Sequence, residues 1–449
     1  MWKRWVAVCV AGVLLLAGAQ AASAQAVTRY IMRVKSASLL DVVARHGVTI
    51  IEVLRDDGND ATVLVEGPVG VEHDDLARRL HDDAVVNGFE TNGALGVTEL
   101  NARPVLQQST AAILEAFKST APVGYFGSTV PAAYAGQAAG TILKVPDAQS
   151  TVGTGNSIVA VIDTGVDANH PALRNVVLPG YDFTRNTAGV ASDIADLSQS
   201  TAAILEQSTA AILEQNNVFV VNQSTAAILE QSTAAILEGL PPAFGHGTMV
   251  AGLIHYVAPT ARILPLKAFN ADGTARLSDI VRAIYYAVDN GARIINMSFS
   301  SSTSSEELMR AVAYAQNRNV IVIAAAGNEG YEAVVFPAGY RPVIAVGSTT
   351  ARDGRSVFSN YGVASVSIAA PGETLVTSYP GAHWAAVSGT SFSTALLSGS
   401  AALMVQAYPA ISSSQMRDDI SKGSVQVSGL GDGRVSLKDA VVRAARRNK

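Results

Sequence analysis

Ile158-Val-Ala-Val-Ile162 is an unbroken apolar run that stops at Asp163-Thr164-Gly165. A short run of β-branched and small apolar residues ending in turn chemistry fits a strand buried on both faces. Working outward from it, the same texture recurs at Ile263 to Leu266, Ile294 to Met297, Val320 to Ala325 and Val343 to Val346. Amphipathic stretches such as Ser278 to Val288 and Ser305 to Gln316 separate these runs. Buried strands alternating with helices predict a parallel sheet in an α/β domain. In such sheets functional groups gather at the carboxyl ends of the strands, which makes the polar residues after each run candidates for chemistry.

Upstream the pattern is different. Strand signals at Arg29 to Val34, Thr49 to Leu54, Ala61 to Glu66 and Ala84 to Phe89 enclose helix signals at Ser38 to His46 and His73 to His81. That βαββαβ order predicts a small α+β, ferredoxin-like unit within 25–98. From 99 to 135 the periodicity fades and Pro104, Pro122, Gly124, Gly127 and Pro131 punctuate the chain, which predicts a linker with some local helix. The α/β domain is then expected over 136–449, with an insert at 187–241.

Residues 1–24 carry Lys3 and Arg4, an apolar run from Val6 to Ala19 and a close in Ala22-Ser23-Ala24. This is the layout of a secretory signal peptide cleaved after Ala24, and Gln20 interrupts the run before it reaches the length of a membrane span. The expectation is a secreted protein, periplasmic or extracellular, with no membrane association after cleavage. The one cysteine, Cys9, falls inside that segment, so neither disulfides nor a thiol nucleophile are expected of the mature chain. With 32 Lys plus Arg against 37 Asp plus Glu and no basic stripe before the tail, nucleic acid is not an expected partner.

The octapeptide Gln-Ser-Thr-Ala-Ala-Ile-Leu-Glu stands at 108–115, 199–206, 207–214, 223–230 and 231–238. At helical periodicity each copy is rotated by roughly 80° from the last, so two copies in series share an apolar half and a third would spoil it. The later copies come in twos, interrupted by Gln215-Asn216-Asn217 and Val218 to Val221, which predicts two amphipathic helices forming a hairpin. Two roles stay open: a tolerated surface excursion, or a docking or self-association surface.

Four contexts carry chemistry. Asp163 ends the first buried run; His246 stands in Gly245-His-Gly-Thr248 at the start of the apolar helix Met249 to Ile254; Asn328 follows Ala325-Ala326-Gly327 after a buried run; Ser391 stands in Ser388-Gly-Thr-Ser-Phe-Ser-Thr-Ala395, just before the apolar helix Leu396 to Val405. Alone, each fits a turn or capping residue. A serine at a helix start also gains from amides and a dipole that favour negative charge beside it.

Together these motifs, in the chain order Asp, His, Ser, resemble the subtilisin-like serine proteases from about Gly155 to Arg443. The resemblance implies a serine endopeptidase in which Ser391 attacks the peptide carbonyl, His246 is general base and then acid, and Asp163 orients the imidazole. It implies an oxyanion hole made by the Asn328 side chain and the Ser391 backbone N–H. It also implies a substrate cleft with Gly273, Thr274 and Ala275 on one edge, and a side-chain pocket walled by Ser298, Phe299, Ser300 and by Ala325, Ala326, Gly327.

Ser300 departs from the glycine usual in the family and Phe299 from its common leucine; the bulkier wall predicts broad specificity with a preference for small to medium apolar residues before the cut. Activity is expected to fall in acid as His246 takes up a proton. The βαββαβ unit resembles the family's propeptide, an intramolecular inhibitor of the cleft, with a permanent accessory domain as the alternative. Expected partners are therefore protein or peptide substrates and the chain's own propeptide. No metal ligands or other cofactor are evident, and although family members often bind calcium, no acidic loop locates a site.

Overall fold

The computed structural model describes residues 28–97, 119, 121–198, 218–219 and 240–448. The expected signal peptide and the octapeptides lie outside those residues, as does most of 99–120.

Near the N-terminus, β1 (Arg29–Lys35), α1 (Leu39–His46), β2 (Thr49–Asp56), β3 (Asp60–Glu66), α2 (His73–His81) and β4 (Val86–Thr91) follow the predicted order. The four strands form one antiparallel sheet in the order β2-β3-β1-β4. Alternation along the strands divides the labour: Tyr30, Met32 and Val34 pack under the two helices with Val42, Leu76 and Leu80, while Ile31, Leu54 and Leu64 face the larger domain and join its core.

β5 (Ala94–Val97) follows at once, at the end of the stretch assigned to the small unit. The stretch read as linker contains more structure than expected: a hairpin of β6 (Pro122–Tyr125) and β7 (Ser128–Pro131) closes through Phe126 and Gly127, both in the left-handed region. The turn residues had suggested loop; here they make a tight hairpin that seats Tyr125 against Tyr134 and Tyr256.

The large domain is built on β8 (Ile158–Asp163), β9 (Gly180–Asp182), β10 (Thr187–Gly189), β12 (Arg262–Lys267), β14 (Ile294–Met297), β16 (Ile321–Ala325), β17 (Ile344–Thr349) and β18 (Ile368–Pro371). Their spatial order is β10-β9-β12-β8-β14-β16-β17-β18, parallel except for β10. The apolar runs have no polar face because each strand feeds two cores: Val159, Val161, Ile294, Ile321 and Ile323 point one way, and Ala160, Ile162, Ile295, Val322 and Ala324 the other.

Against the first face lie α3 (His246–Val257) and α6 (Thr390–Ala407); against the second lie α4 (Leu277–Asp289) and α5 (Glu306–Asn317). Both central helices are buried on all sides, every residue of α3 and every residue of α6 except Gln406. Of the insert, Val218–Phe219 forms a two-residue strand, β11, parallel to Trp384–Ala385 in β20 (His383–Val387). The run Val218 to Val221, expected to separate two helices, thus contributes a strand.

Candidate active site

Asp163 is the last residue of β8 and is 1% exposed. Its Oδ1 accepts the Thr164 backbone N–H at 2.7 Å and meets Nδ1 of His246, also at 2.7 Å. His246 opens α3, and Gly245 before it sits at φ +82°, which only glycine adopts readily. Gly247 is needed for a different reason. A Cβ there would lie 2.0 Å from the Gly165 carbonyl oxygen and 3.1 Å from the Asp163 Cβ, so the helix reaches the strand end only without a side chain.

Ser391 is the second residue of α6 and fully buried. Its hydroxyl donates to the Ser298 carbonyl at 3.1 Å, while the Ser298 hydroxyl donates to the Ser391 carbonyl, also at 3.1 Å. Asn296 fixes this pair, donating through Nδ2 to Ser298 Oγ at 2.9 Å and accepting from Ser398 Oγ at 2.9 Å. The end of β14 is thereby locked to the start of α6. The His246 ring packs 5.6 Å from Phe392, next in chain to Ser391.

Asn328 joins the same helix start. Its Oδ1 accepts the Thr390 backbone N–H at 2.9 Å and the Thr390 hydroxyl at 2.8 Å, which makes Nδ2 the donor end of the amide. Gly327 before it has φ +102°, and a Cβ there would stand 2.3 Å from Asn360 Nδ2. Asn360 also donates to the Ala326 carbonyl at 3.0 Å. Sequence reasoning missed Asn360, because no short motif in its loop, Ser356 to Gly362, marks it.

The two expected cleft edges are β13 (Thr274–Arg276) and β15 (Phe299–Ser300), and they do not touch each other; β5 lies between them, antiparallel to both. Thr274 opposes Gly96, Ala275 opposes Leu95, Phe299 opposes Val97 and Ser300 opposes Gly96, and the Gly273 carbonyl accepts the Val97 N–H at 2.9 Å. Leu95 and Val97 are buried beside Phe269, Ala275 and Phe299. The place expected for a substrate strand is filled by the chain itself.

The N-terminal sheet fastens this arrangement by capping two helices. Glu90 Oε1 accepts the Ser305 hydroxyl and the Glu307 backbone N–H, each at 2.9 Å, at the start of α5, and Asn92 Oδ1 accepts the Ser278 N–H at 2.8 Å at the start of α4. Arg33 pairs with Glu307 at 3.0 Å; burial pushes the Glu307 carboxyl up, and Arg33 pulls it back down. None of these contacts was foreseen, because a cap supplied across a domain interface has no sequence spacing to betray it.

Among the described residues no group of three or more His, Cys, Asp and Glu side chains gathers as a metal site. Nor is any helix among them long and apolar enough to cross a membrane.

The profile of the Subtilase family matches residues 154–442. The chain is 35% identical over 305 residues to the thermophilic serine proteinase of Bacillus sp. (strain AK1), covering 65% of this chain and 63% of that relative. It is 31% identical over 313 residues to thermitase of Thermoactinomyces vulgaris, covering 67% of this chain and 93% of thermitase. With subtilisin BL of Lederbergia lenta it shares 38% identity over 201 residues, 42% of this chain and 74% of the relative.

Proposed function

Because the chain belongs to the subtilase family of subtilisin-like serine endopeptidases, we propose that it hydrolyses peptide bonds in proteins through Ser391, His246 and Asp163. The observation that carries this reading is the buried 2.7 Å bond between Asp163 and His246, residues brought together from opposite sides of an insert. An anionic Asp163 holds the imidazole with Nδ1 protonated and Nε2 available as base. Ser391 reaches the base by rotating its hydroxyl away from the Ser298 carbonyl, a re-aiming that substrate binding commonly completes.

Attack on the scissile carbonyl forms a tetrahedral oxyanion that Asn328 Nδ2 and the Ser391 N–H stabilise, with the start of α6 adding its dipole. His246 then protonates the leaving amine, and water releases the acyl-enzyme by the same steps in reverse roles. In this reading Ser298–Ser300 and Ala325–Gly327 wall the pocket before the cut, with small to medium apolar residues preferred.

The test is labelling by a serine-directed phosphonate. Stoichiometric labelling of the processed protein that vanishes in Ser391→Ala is expected, and a folded, processed chain that takes no label would refute the assignment.

A second reading concerns latency. The unit 25–98 acts as an inhibitory propeptide of a secreted zymogen, with 1–24 as its signal peptide. β5 in the cleft supports it, since a strand hydrogen-bonded to both edges excludes a substrate strand. N-terminal sequencing of secreted protein should find a start well after Val97, and a start near Ala26 would leave the unit a permanent domain.

A further inference from the structure

The chain enters its octapeptide excursion through Ala191-Ser-Asp-Ile-Ala-Asp196, and that segment is wedged against both elements that carry the acid and the base. The Ala191 carbonyl accepts the Val166 N–H at 2.7 Å, and a Cβ on Gly165 would lie 2.6 Å from the Asp193 nitrogen. Asp193 is 1% exposed. One carboxylate oxygen accepts the hydroxyl of Thr164, the residue after Asp163. The other accepts the hydroxyl of Thr248 at 2.5 Å and its backbone N–H at 3.1 Å, two residues after His246. Thr164 Oγ1 in turn accepts the Gly247 N–H at 3.0 Å. A second bridge thus runs parallel to the Asp163–His246 bond and joins the same strand end to the same helix start.

Lys267, fully buried on β12, braces the segment from below. Its ammonium donates to Asp196 Oδ2 at 2.7 Å, the Thr164 carbonyl at 2.6 Å and the Phe269 carbonyl at 2.7 Å.

We propose that Asp193 is a positioning residue of this triad, its carboxylate holding the Asp163 strand end and the His246 helix start in register for proton transfer from Ser391. The proposal rests on the assignment of those three residues as catalytic. Three donors converge on Asp193, so the ionised carboxylate is the form that satisfies them all. Burial pushes its pKa up to about 7, against the lowering effect of the Thr164 and Thr248 bonds and of Lys267, with Asp163 adding to the rise. The other ionisable groups around it are Asp196 on its own segment, Tyr379 on β19 (Leu375–Tyr379) and His246 on α3. A proton on Asp193 converts one acceptor oxygen to a donor and breaks the bridge, so the acid limb of activity should carry two protons, one at His246 and one at Asp193.

The experiment uses the processed protein and a peptide substrate. Asp193→Asn keeps the shape but replaces one acceptor oxygen by a donor. It should lower kcat about tenfold or more with KM within about twofold, and should flatten the acid limb of log kcat/KM from a slope near two to one. Asp196→Asn, which leaves all three donors on Asp193, should keep the two-proton limb.

Wild-type kcat with an unchanged limb in folded, phosphonate-labelled Asp193→Asn would overturn the positioning role alone. If Asp193→Asn does not fold, the wild-type profile decides, and a one-proton limb overturns the proposal. A wild-type protein that takes no phosphonate would overturn the triad assignment on which it rests.

Discussion

A methyl group at position 247 has nowhere to go, because its nearest neighbours are the Gly165 carbonyl and the Asp163 side chain rather than a movable chain end. Gly247→Ala must therefore push the start of α3 off the end of β8, lengthening the Asp163–His246 bond and the Gly247–Thr164 bond together. Overpacking against backbone costs about 1–3 kcal/mol. The expected outcome is a lower unfolding midpoint and a larger fall in kcat than in substrate affinity, both read on purified protein; wild-type kcat would show that the helix start has slack.

Asn328→Ala makes a complementary test, since it removes the Nδ2 donor and the acceptor for Thr390 while leaving the base in place. It should reduce kcat and leave KM nearly unchanged, the mark of a contact made in the transition state. At this scale the sequence was informative wherever a short motif carries its own geometry. Gly245-His-Gly-Thr could be read because the glycines, the helix start and the imidazole are contiguous. Asp193 could not, since its partners stand 29 and 55 positions away and nothing in Ser-Asp-Ile-Ala-Asp distinguishes it from a surface turn.

At the scale of elements, β5 holds its place through two kinds of contact: backbone pairing with β13 and β15, and the caps that Glu90 and Asn92 place on α5 and α4 just before it. The caps position the strand without touching Asp163, His246 or Ser391. Loss of a capping side chain costs roughly 1 kcal/mol. Glu90→Ala with Asn92→Ala should therefore let β5 leave the cleft about ten- to thirtyfold more often. The measurement is the rate at which phosphonate labels Ser391 in chain that has not been processed. An unchanged rate would mean that backbone pairing alone holds the strand.

Element order in the N-terminal unit was legible because each strand and helix shows its own period, and the ends of β1, α1, β2 and α2 fall within about two residues of expectation. β5 escaped for a physical reason. Ala94-Leu-Gly-Val97 has too few side chains to show alternation, and it is a strand only because two edges from distant parts of the chain flank it. The excursion at 199–238 is flanked by Asp196, which is bound to Lys267, and by the start of α3 at His246. Removing it while keeping 191–198 should leave hydrolysis of a short peptide intact. A lost self-association in the same variant would assign the octapeptides a docking role.

For the whole molecule, the parallel sheet was the most legible feature, because eight strands sandwiched between helices need apolar residues on both faces and the chain has few other ways to use such runs. What composition could not reveal is how many ionisable groups that packing buries. His170 is fully buried, with Nε2 donating to the His383 carbonyl at 2.9 Å and Nδ1 accepting the Ala172 N–H at 3.2 Å, an arrangement only the neutral ring can make. His255 on α3 is 2% exposed. Burial lowers both pKa values to about 4, with repulsion from His170 adding to the shift at His255 and the His383 carbonyl opposing it at His170.

Both folded values lie below the ordinary histidine value of about 6.5, so the unfolded chain takes up protons that the folded chain refuses. The stability tied to neutral imidazole is present above about pH 6.5 and is lost as pH falls toward about 4. Asp193 and Asp279, raised by burial to about 7 and about 6, act in the opposite sense, because the folded chain holds protons there that the unfolded chain releases. The total slope is therefore a balance, and a single substitution isolates one contribution. In a Ser391→Ala background that prevents self-digestion, the stability of His255→Leu relative to its parent should rise as pH falls, by up to about 1.4 kcal/mol per pH unit between about pH 6.5 and about pH 4, because only the parent carries this buried imidazole. Urea midpoints at several pH values measure it, and parallel curves for the two proteins would show that His255 titrates alike in the folded and unfolded chain.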